Sequence, residues 1–137
     1  MKKIGALIGL TVLLCLAGFA WAEEFNWKQC EGQTIKILFN QHPYAEGIIK
    51  KLQEFEALTG IKVVHTTIPE ENYFDKLTTS LSSRSGEPDV FMTGAYQCWD
   101  YSTSDYMVDL DAFLKDPKKT AGDYDYDDFF PGISGAL

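Results

Sequence analysis

The chain has 137 residues, a formal net charge of −8 and 45% hydrophobic residues. This length suits one domain with a modest hydrophobic core. The acidic balance argues against nucleic acid and anionic membrane surfaces as partners, because both require a basic footprint on the protein.

The amino-terminal segment predicts export. Two lysines precede an apolar run, residues 4–20, and Ala20-Trp21-Ala22 has the small-x-small pattern of a signal-peptide cleavage site. Cleavage near Ala22 would leave residues 23–137 periplasmic or secreted. It would remove two lysines and no acids, so the net charge would change from −8 to −10. An uncleaved membrane anchor is the alternative, and the cleavage pattern with its acidic flank disfavours it.

The next segments predict a strand–helix–strand unit. Residues 34–39 and 61–68 are rich in β-branched side chains, which is typical of strands. Gly60 separates the helix from the second strand, because glycine can take positive φ without a Cβ penalty. The crossover is long enough for parallel strands. Apolar residues at spacings of three and four define one face of the helix: Ile48, Ile49, Leu52, Phe55 and Leu58.

A second helix and a third strand are predicted to follow. The helix starts after Pro69, with Asn72 or a neighbouring acid as its cap. Residues 82–88 contain serines, glycine and proline that break the helix. Residues 89–93 are a short apolar run, as expected of a strand covered on both faces. The buried face of the helix would be Phe74, Leu77 and Leu81.

The remaining segments predict shorter elements. Residues 94–99 form a loop and the start of a third helix, and Leu110, Phe113 and Leu114 mark another short helix. Residues 123–128 are a polar link. Their acids are spaced like the start of a calcium loop, but the glycine and the final glutamate of such a loop are missing.

This element order predicts an α/β fold with a doubly wound, mainly parallel sheet. Right-handed crossovers place the first strand between the second and the third, in the order 2-1-3. Ligands of such sheets bind beyond the carboxyl ends of the strands, at the point where the strand order reverses. The segments that follow the first and third strands, residues 40–44 and 94–99, should therefore meet at the binding site.

Amide and aromatic side chains in these two segments indicate a sugar as ligand. Sugar hydroxyls need planar groups that both donate and accept hydrogen bonds, and the C–H face of a pyranose stacks on aromatic rings. A structural alternative remains open, in which Tyr44 shapes the turn and Trp99 belongs to the core. The candidate amides are Asn40, Gln41 and Gln97, and the candidate rings are Tyr44, Tyr96 and Trp99.

Cys30 and Cys98 remain after cleavage, and an oxidising compartment would favour a disulfide between them. The predicted fold places Cys30 before the first strand and Cys98 beyond the end of its neighbour. A strand of seven residues spans roughly 23 Å, whereas bridged Cα atoms lie within about 7 Å. The predicted geometry therefore disfavours this disulfide.

Two catalytic or metal chemistries are weaker alternatives. His42 and His65 could bind a transition metal, but two ligands are too few for a site. Glu70 and Glu71 could serve a glycosidase, although a favourable charge effect at a helix N-terminus explains this pair better. No metal and no cofactor is predicted, and an exported hydrolase acting on carbohydrates is the alternative function.

Four segments in a fixed order resemble the extracellular solute-binding proteins of ABC importers, in the carbohydrate-associated group. The resemblance covers residues 25–137 and implies the amino-terminal lobe of a two-lobe binding protein that closes on its ligand. The second lobe is expected to be absent from these residues. The four segments are residues 32–37 before His42-Pro43, Phe55-Glu56-x-x-Thr59-Gly60-Ile61-Lys62-Val63, Pro88-Asp89-Val90 and residues 106–111.

The resemblance also implies a function and a site. It implies a non-catalytic protein that captures a small polar solute, with a sugar expected, and delivers it to an ABC permease in the membrane. In the family, the loops after the first and third strands contribute to the ligand cleft. By position, this implies contacts from Gln41, His42, Tyr96, Gln97 and Trp99.

Overall fold

Parallel strands and the helices between them form the fold, and the computed structural model of the protein describes residues 25–134. The predicted signal segment and its cleavage site lie outside the described residues. None of the helices between residues 25 and 134 is both long and apolar enough to cross a membrane. The strands are β1 Thr34–Asn40, β2 Lys62–Ile68 and β3 Val90–Phe91. The helices are α1 Pro43–Ile49, α2 Leu52–Thr59, α3 Glu70–Ser82, α4 Ala95–Thr103, α5 Asp111–Leu114 and α6 Pro131–Ser134, with a 3-10 turn at Tyr126–Asp128.

The sheet has the predicted order and strand direction. β1 lies between β2 and β3, and it is parallel to both. β1 and β2 pair along their whole length, from Thr34 opposite Lys62 to Asn40 opposite Ile68. The predicted α/β fold with a parallel sheet in the order 2-1-3 is confirmed.

β3 is shorter than predicted, because only Val90 and Phe91 pair with β1. The carboxylate of Asp89 accepts a hydrogen bond from the Lys36 N–H at 2.8 Å, where a strand would offer a backbone carbonyl. The Asp89 N–H donates to the Lys36 carbonyl at 3.0 Å. Val90 is 47% exposed, so the prediction of a strand covered on both faces is wrong.

The single helix predicted between the first two strands is in fact two helices, α1 and α2. At their junction the Lys51 N–H donates to the Ile48 carbonyl at 2.8 Å, a bond across three residues that interrupts the α-helical pattern. Leu58 is exposed, and Thr59 is buried instead, four residues after Phe55 on the same helical face. The prediction that Leu58 lies on the buried face is therefore wrong, whereas the other four residues of that face are partly buried.

Gly60 ends α2 as predicted. Its φ is +71°, and its N–H donates to the Glu56 carbonyl at 2.8 Å. The Glu56 carboxylate accepts a hydrogen bond from the Val63 N–H at 2.6 Å. Because β2 is an edge strand, this bond occupies an N–H group that would otherwise point out of the sheet. Glu56 therefore contributes to both the end of α2 and the protection of β2.

α3 packs on one face of the sheet and provides much of the core. It begins at Glu70 after Pro69, with no side-chain cap, so the prediction of Asn72 or a neighbouring acid as cap is wrong. Glu70 and Glu71 occupy the first turn, where the helix dipole favours negative charge. The buried cluster consists of Leu38, Ile68, Tyr73, Leu77 and Tyr101, and the predicted Phe74 and Leu81 pack against it.

Both cysteines of the described chain are free thiols. Cys30 is exposed before β1, and Cys98 is partly buried in α4. The two lie at opposite ends of the β1–β3 pair, as predicted from the strand order. This separation explains why the disulfide does not form.

Candidate ligand-binding site

The strand register brings the candidate segments together at the end of the sheet where the carboxyl ends of β1 and β3 lie. Leu38 of β1 is paired with Phe91 of β3. Continuing the register by two residues places Asn40, the last residue of β1, level with Thr93. The chain segments that leave β1 and β3 therefore start side by side, at the point where the strand order reverses.

Asn40 combines burial with an unsatisfied hydrogen-bond acceptor. The residue is only 8% exposed, and its side-chain oxygen Oδ1 has no hydrogen-bond partner among the described residues. Leaving a buried polar atom unpaired costs roughly 1–3 kcal/mol. An ordered water molecule or a rotation of the side-chain amide can supply the partner that such an atom lacks.

The turn after β1 is held in place by one backbone–backbone hydrogen bond and one bond to a side chain. The Gln41 N–H donates to the carbonyl of Ile68 at 2.8 Å, which fixes the turn to the end of β2. His42 caps α1, since its Nδ1 atom accepts from the Tyr44 N–H at 3.1 Å. This bond requires an unprotonated Nδ1, so neutral His42 carries its proton on Nε2 and offers a donor there. The side chains of Gln41, His42 and Tyr44 are exposed.

The segment after β3 is more helical than predicted. Only residues 92–94 separate β3 from α4, with Gly94 as the N-cap residue. Tyr96 and Gln97 therefore lie in the first helical turn, and Trp99 lies about one turn further on. The predicted helix start within residues 94–99 is confirmed, but the helix already begins at Ala95, so the loop part of this segment is shorter than predicted. The Gln97 side chain folds back over the helix start, because its Oε1 atom lies 3.0 Å from the position that a Gly94 Cβ would occupy.

The aromatic candidates are exposed. Tyr96 is 90% and Trp99 73% exposed, and helical periodicity places both on a side of α4 away from the buried Tyr101. The structural alternative in which Trp99 belongs to the core is therefore wrong. The rings of Tyr44, Tyr96 and Trp99 contact no other ring within residues 25–134. Asn40 and Gln41 thus lie where β1 ends, whereas Gln97 and the three rings lie on helices α1 and α4.

Sequence reasoning missed Tyr73, which joins the two strands beneath the site. Its hydroxyl donates to the Met92 carbonyl at 2.6 Å and lies 3.1 Å from the Leu38 carbonyl. The side chain is fully buried, and this burial raises the pKa of Tyr73 to about 12. A sequence signal was present, because Tyr73 precedes the predicted core residue Leu77 by four positions and so lies on the same helical face.

The two histidines do not come together. His65 lies in β2, where its ring contacts Phe39 with a centroid separation of 5.9 Å. His42 follows β1 and caps α1. Within the part of the chain that the structure describes, no group of three His, Cys, Asp or Glu side chains is arranged to hold a metal ion.

Comparison with known proteins agrees with this architecture. The family model of the bacterial extracellular solute-binding proteins matches residues 40–136. The erythritol/L-threitol-binding protein of Mycolicibacterium smegmatis is 40% identical over 109 residues, which cover 80% of this chain and 23% of that protein. The chain thus spans about a quarter of the length of this curated relative. No solved structure matches the chain significantly. Since the family model covers more than half of its residues, the chain belongs to the bacterial extracellular solute-binding proteins.

Proposed function

We propose that this protein captures a small polyhydroxylated solute, a polyol or a sugar, outside the cytoplasm and delivers it unchanged to the permease of an ABC importer. The observation that carries the proposal is the strand order β2-β1-β3, which brings the chain segments that leave β1 and β3 side by side where the strand order reverses. Family membership supports the binding role. The polyol-binding relative supports a hydroxyl-rich ligand.

The proposal includes the location of the protein. Residues 1–22 would direct export and be removed after Ala22, so that the mature protein begins at Glu23. Once residues 1–22 are removed, the mature protein would be outside the cytoplasm, where it can bind the solute and bring it to the permease. Amino-terminal sequencing of exported protein should therefore begin at Glu23, and an intact apolar segment would contradict this part of the proposal.

Calorimetric titration of the full-length protein, meaning a complete two-lobe binding protein that contains these residues, tests the ligand class. Erythritol, L-threitol, xylitol and glucose are suitable neutral solutes, and at least one should bind at one site per molecule. Binding should also raise the melting temperature, because a ligand at 100 times its Kd stabilises the folded state by about 2.7 kcal/mol. The solute should be recovered chemically unchanged. Turnover of simple glycosides would instead support the exported hydrolase.

The aromatic part of the site can be tested with Trp99→Ala. We expect binding of the neutral solute to weaken by roughly 1–3 kcal/mol, the scale of a lost aromatic contact. The melting temperature should change little, because Trp99 is exposed. Trp27→Ala is a matched control, since this exposed tryptophan precedes β1 at the opposite edge of the sheet. Unchanged affinity in Trp99→Ala would remove this residue from the site.

A further inference from the structure

We propose that Glu56, together with Thr59 and Pro69, shortens the free edge of β2 and so keeps two copies of the protein from pairing through this strand. β2 is an edge strand, because the sheet order is β2-β1-β3. Its free edge lies on the side of the sheet away from β3, so this role does not depend on the proposed function.

Residues 63–68 of β2 have the composition of a strand that pairs readily. Five of these six residues are β-branched, and none is Lys, Arg, Asp, Glu or Pro. The side chains of residues 64–67 are exposed. Charged side chains or proline within an edge strand commonly prevent it from pairing with another chain. Because residues 63–68 contain neither, protection of this edge has to come from residues outside them.

Alternate residues of β2 direct their backbone groups away from the sheet. The Lys62 N–H donates to the Gln33 carbonyl at 2.8 Å, so Lys62 faces β1. The Ile68 carbonyl accepts from the Gln41 N–H at 2.8 Å, so Ile68 faces β1 as well. In a parallel pair, the residues between those that face the neighbouring strand face the opposite way. The odd-numbered residues from 61 to 69 therefore direct their N–H and C=O groups to the free edge.

The last turns of α2 occupy the first two outward N–H groups. The Ile61 N–H donates to the Thr59 hydroxyl oxygen at 3.1 Å. The Val63 N–H donates to the Glu56 carboxylate at 2.6 Å. The Glu56 carboxylate thus stands where the carbonyl group of a pairing strand would accept a hydrogen bond.

Proline closes the other end of the edge. Pro69 directly follows β2 and has no N–H group. Among residues 25–134, the outward N–H groups of His65 and Thr67 have no hydrogen-bond partner. The edge that remains free for pairing is therefore limited to residues 65–67.

The length of this free edge decides whether two copies can pair. Three residues are the lower limit of strand length in globular proteins, whereas about 5–6 residues are typical. Without the Glu56 carboxylate, the free edge would extend over residues 63–67. A two-fold axis at His65 would then place Val63 opposite Thr67 of the second copy, in antiparallel pairing. Glu56 is therefore the residue whose loss should permit association.

Glu56 variants of the full-length protein test this role. Glu56→Ala removes the carboxylate, whereas Glu56→Gln keeps an acceptor oxygen and loses the same charge. The two variants thus differ in the hydrogen bond to Val63 at equal net charge. In gel filtration coupled to light scattering, we expect the mass of Glu56→Ala to rise with concentration towards twice that of the monomer. The wild-type protein and Glu56→Gln should keep the mass of the monomer throughout the same concentration series.

Amide hydrogen exchange, measured by NMR, locates the interface. In dilute samples the Val63 amide should exchange roughly tenfold faster in Glu56→Ala than in Glu56→Gln, the scale of one lost hydrogen bond. In concentrated samples of Glu56→Ala, the amides of Val63, His65 and Thr67 should become protected, because strand pairing engages all three.

Thr67→Pro separates strand pairing from association of unfolded protein. The Thr67 N–H points to the free edge, so proline at this position removes no hydrogen bond to β1 and blocks the edge. The preceding residue lies in a strand, a conformation that proline accepts before it. The double variant Glu56→Ala/Thr67→Pro should therefore return to the mass of the monomer. If it associates as Glu56→Ala does, association does not use the edge of β2 and the proposed role is wrong.

Two further results would overturn this role of Glu56. Glu56→Ala that remains a monomer at all concentrations would show that the carboxylate does not prevent pairing. Glu56→Gln that associates as strongly as Glu56→Ala would show that the lost charge, and not the hydrogen bond to Val63, controls association.

Discussion

Tyr73 shows how one residue can position the candidate site without reaching it. Its buried hydroxyl contacts backbone carbonyls at the ends of both β1 and β3. The hydroxyl therefore links the two strands next to the segments that carry Asn40 and Gly94. Its removal leaves buried carbonyl oxygens with fewer donors, which the surrounding apolar core cannot supply.

Tyr73→Phe should lower the free energy of unfolding by roughly 1–3 kcal/mol, since it deletes a buried hydrogen bond and keeps the ring. The pH dependence gives a second readout. Burial raises the pKa of Tyr73 from 10.0 to about 12 in the folded protein, so the neutral phenol is favoured by folding. The contribution of the neutral Tyr73 phenol to the free energy of unfolding is complete below pH 10. It is lost as the pH rises towards 12.

Chemical denaturation of the full-length protein between pH 8 and 12 measures this effect. Between pH 10 and pH 12, the free energy of unfolding of the wild-type protein should fall by roughly 1–2 kcal/mol through the ionisation of Tyr73. Tyr73→Phe should lack this component of the alkaline loss. Parallel pH profiles for the two proteins would mean that the Tyr73 phenol titrates normally.

At the scale of secondary structure, the junction at which α2 ends and β2 begins depends on the backbone conformation of Gly60. Its φ of +71° lies in the left-handed region, and an added Cβ would lie 2.6 Å from Glu31 Cγ. Gly47, in α1, is different, because no atom lies within 4 Å of its hypothetical Cβ. The same substitution should therefore have opposite effects at the two positions.

Gly60→Ala should destabilise the full-length protein by about 1–2 kcal/mol, the cost of placing a non-glycine residue in the left-handed region. Gly47→Ala should stabilise it by about 0.5–1 kcal/mol, because alanine loses less backbone freedom than glycine in a helix. Urea denaturation compares the two variants directly. Equal effects at both positions would show that the positive φ angle of Gly60 does not constrain the junction between α2 and β2.

At the scale of the whole molecule, the described residues leave much apolar surface uncovered. Val90 on the edge strand β3 and Phe130 before α6 are exposed. α5 lies where the sequence predicts a short helix, but Leu110 and Phe113 are exposed there as well. Where exposed apolar side chains lie together, the surface they form is usually covered by another part of the protein or by a partner.

Residues 23–137 produced alone should therefore associate and should bind no sugar. A ligand pocket buries about 70–90% of a small molecule, which one open sheet edge cannot achieve. Light scattering coupled to gel filtration measures the association, and thermal melts with and without erythritol measure binding. A monomer with a cooperative melt that shifts with erythritol would contradict this expectation.

The sequence alone determined the elements whose signals are local. The β-branched runs predicted β1 and β2, Gly60 predicted the end of α2, and the element order predicted the 2-1-3 sheet. The handedness of crossovers then predicted that the segments after β1 and β3 leave the sheet side by side. Asn40 does end β1, Gln41 and His42 follow it, and Gln97 follows β3. These predictions succeeded because backbone conformation and crossover handedness depend on neighbouring residues.

Only the tertiary structure decided features that depend on distant contacts. The two-residue length of β3 goes with hydrogen bonds between Lys36 and Asp89, which are far apart in the chain. The buried, unpaired state of Asn40 Oδ1 and the link made by Tyr73 depend on residues far apart in the chain. Hydrophobic periodicity predicts which face of an element is buried, but it does not specify which polar atom finds a partner once the elements pack.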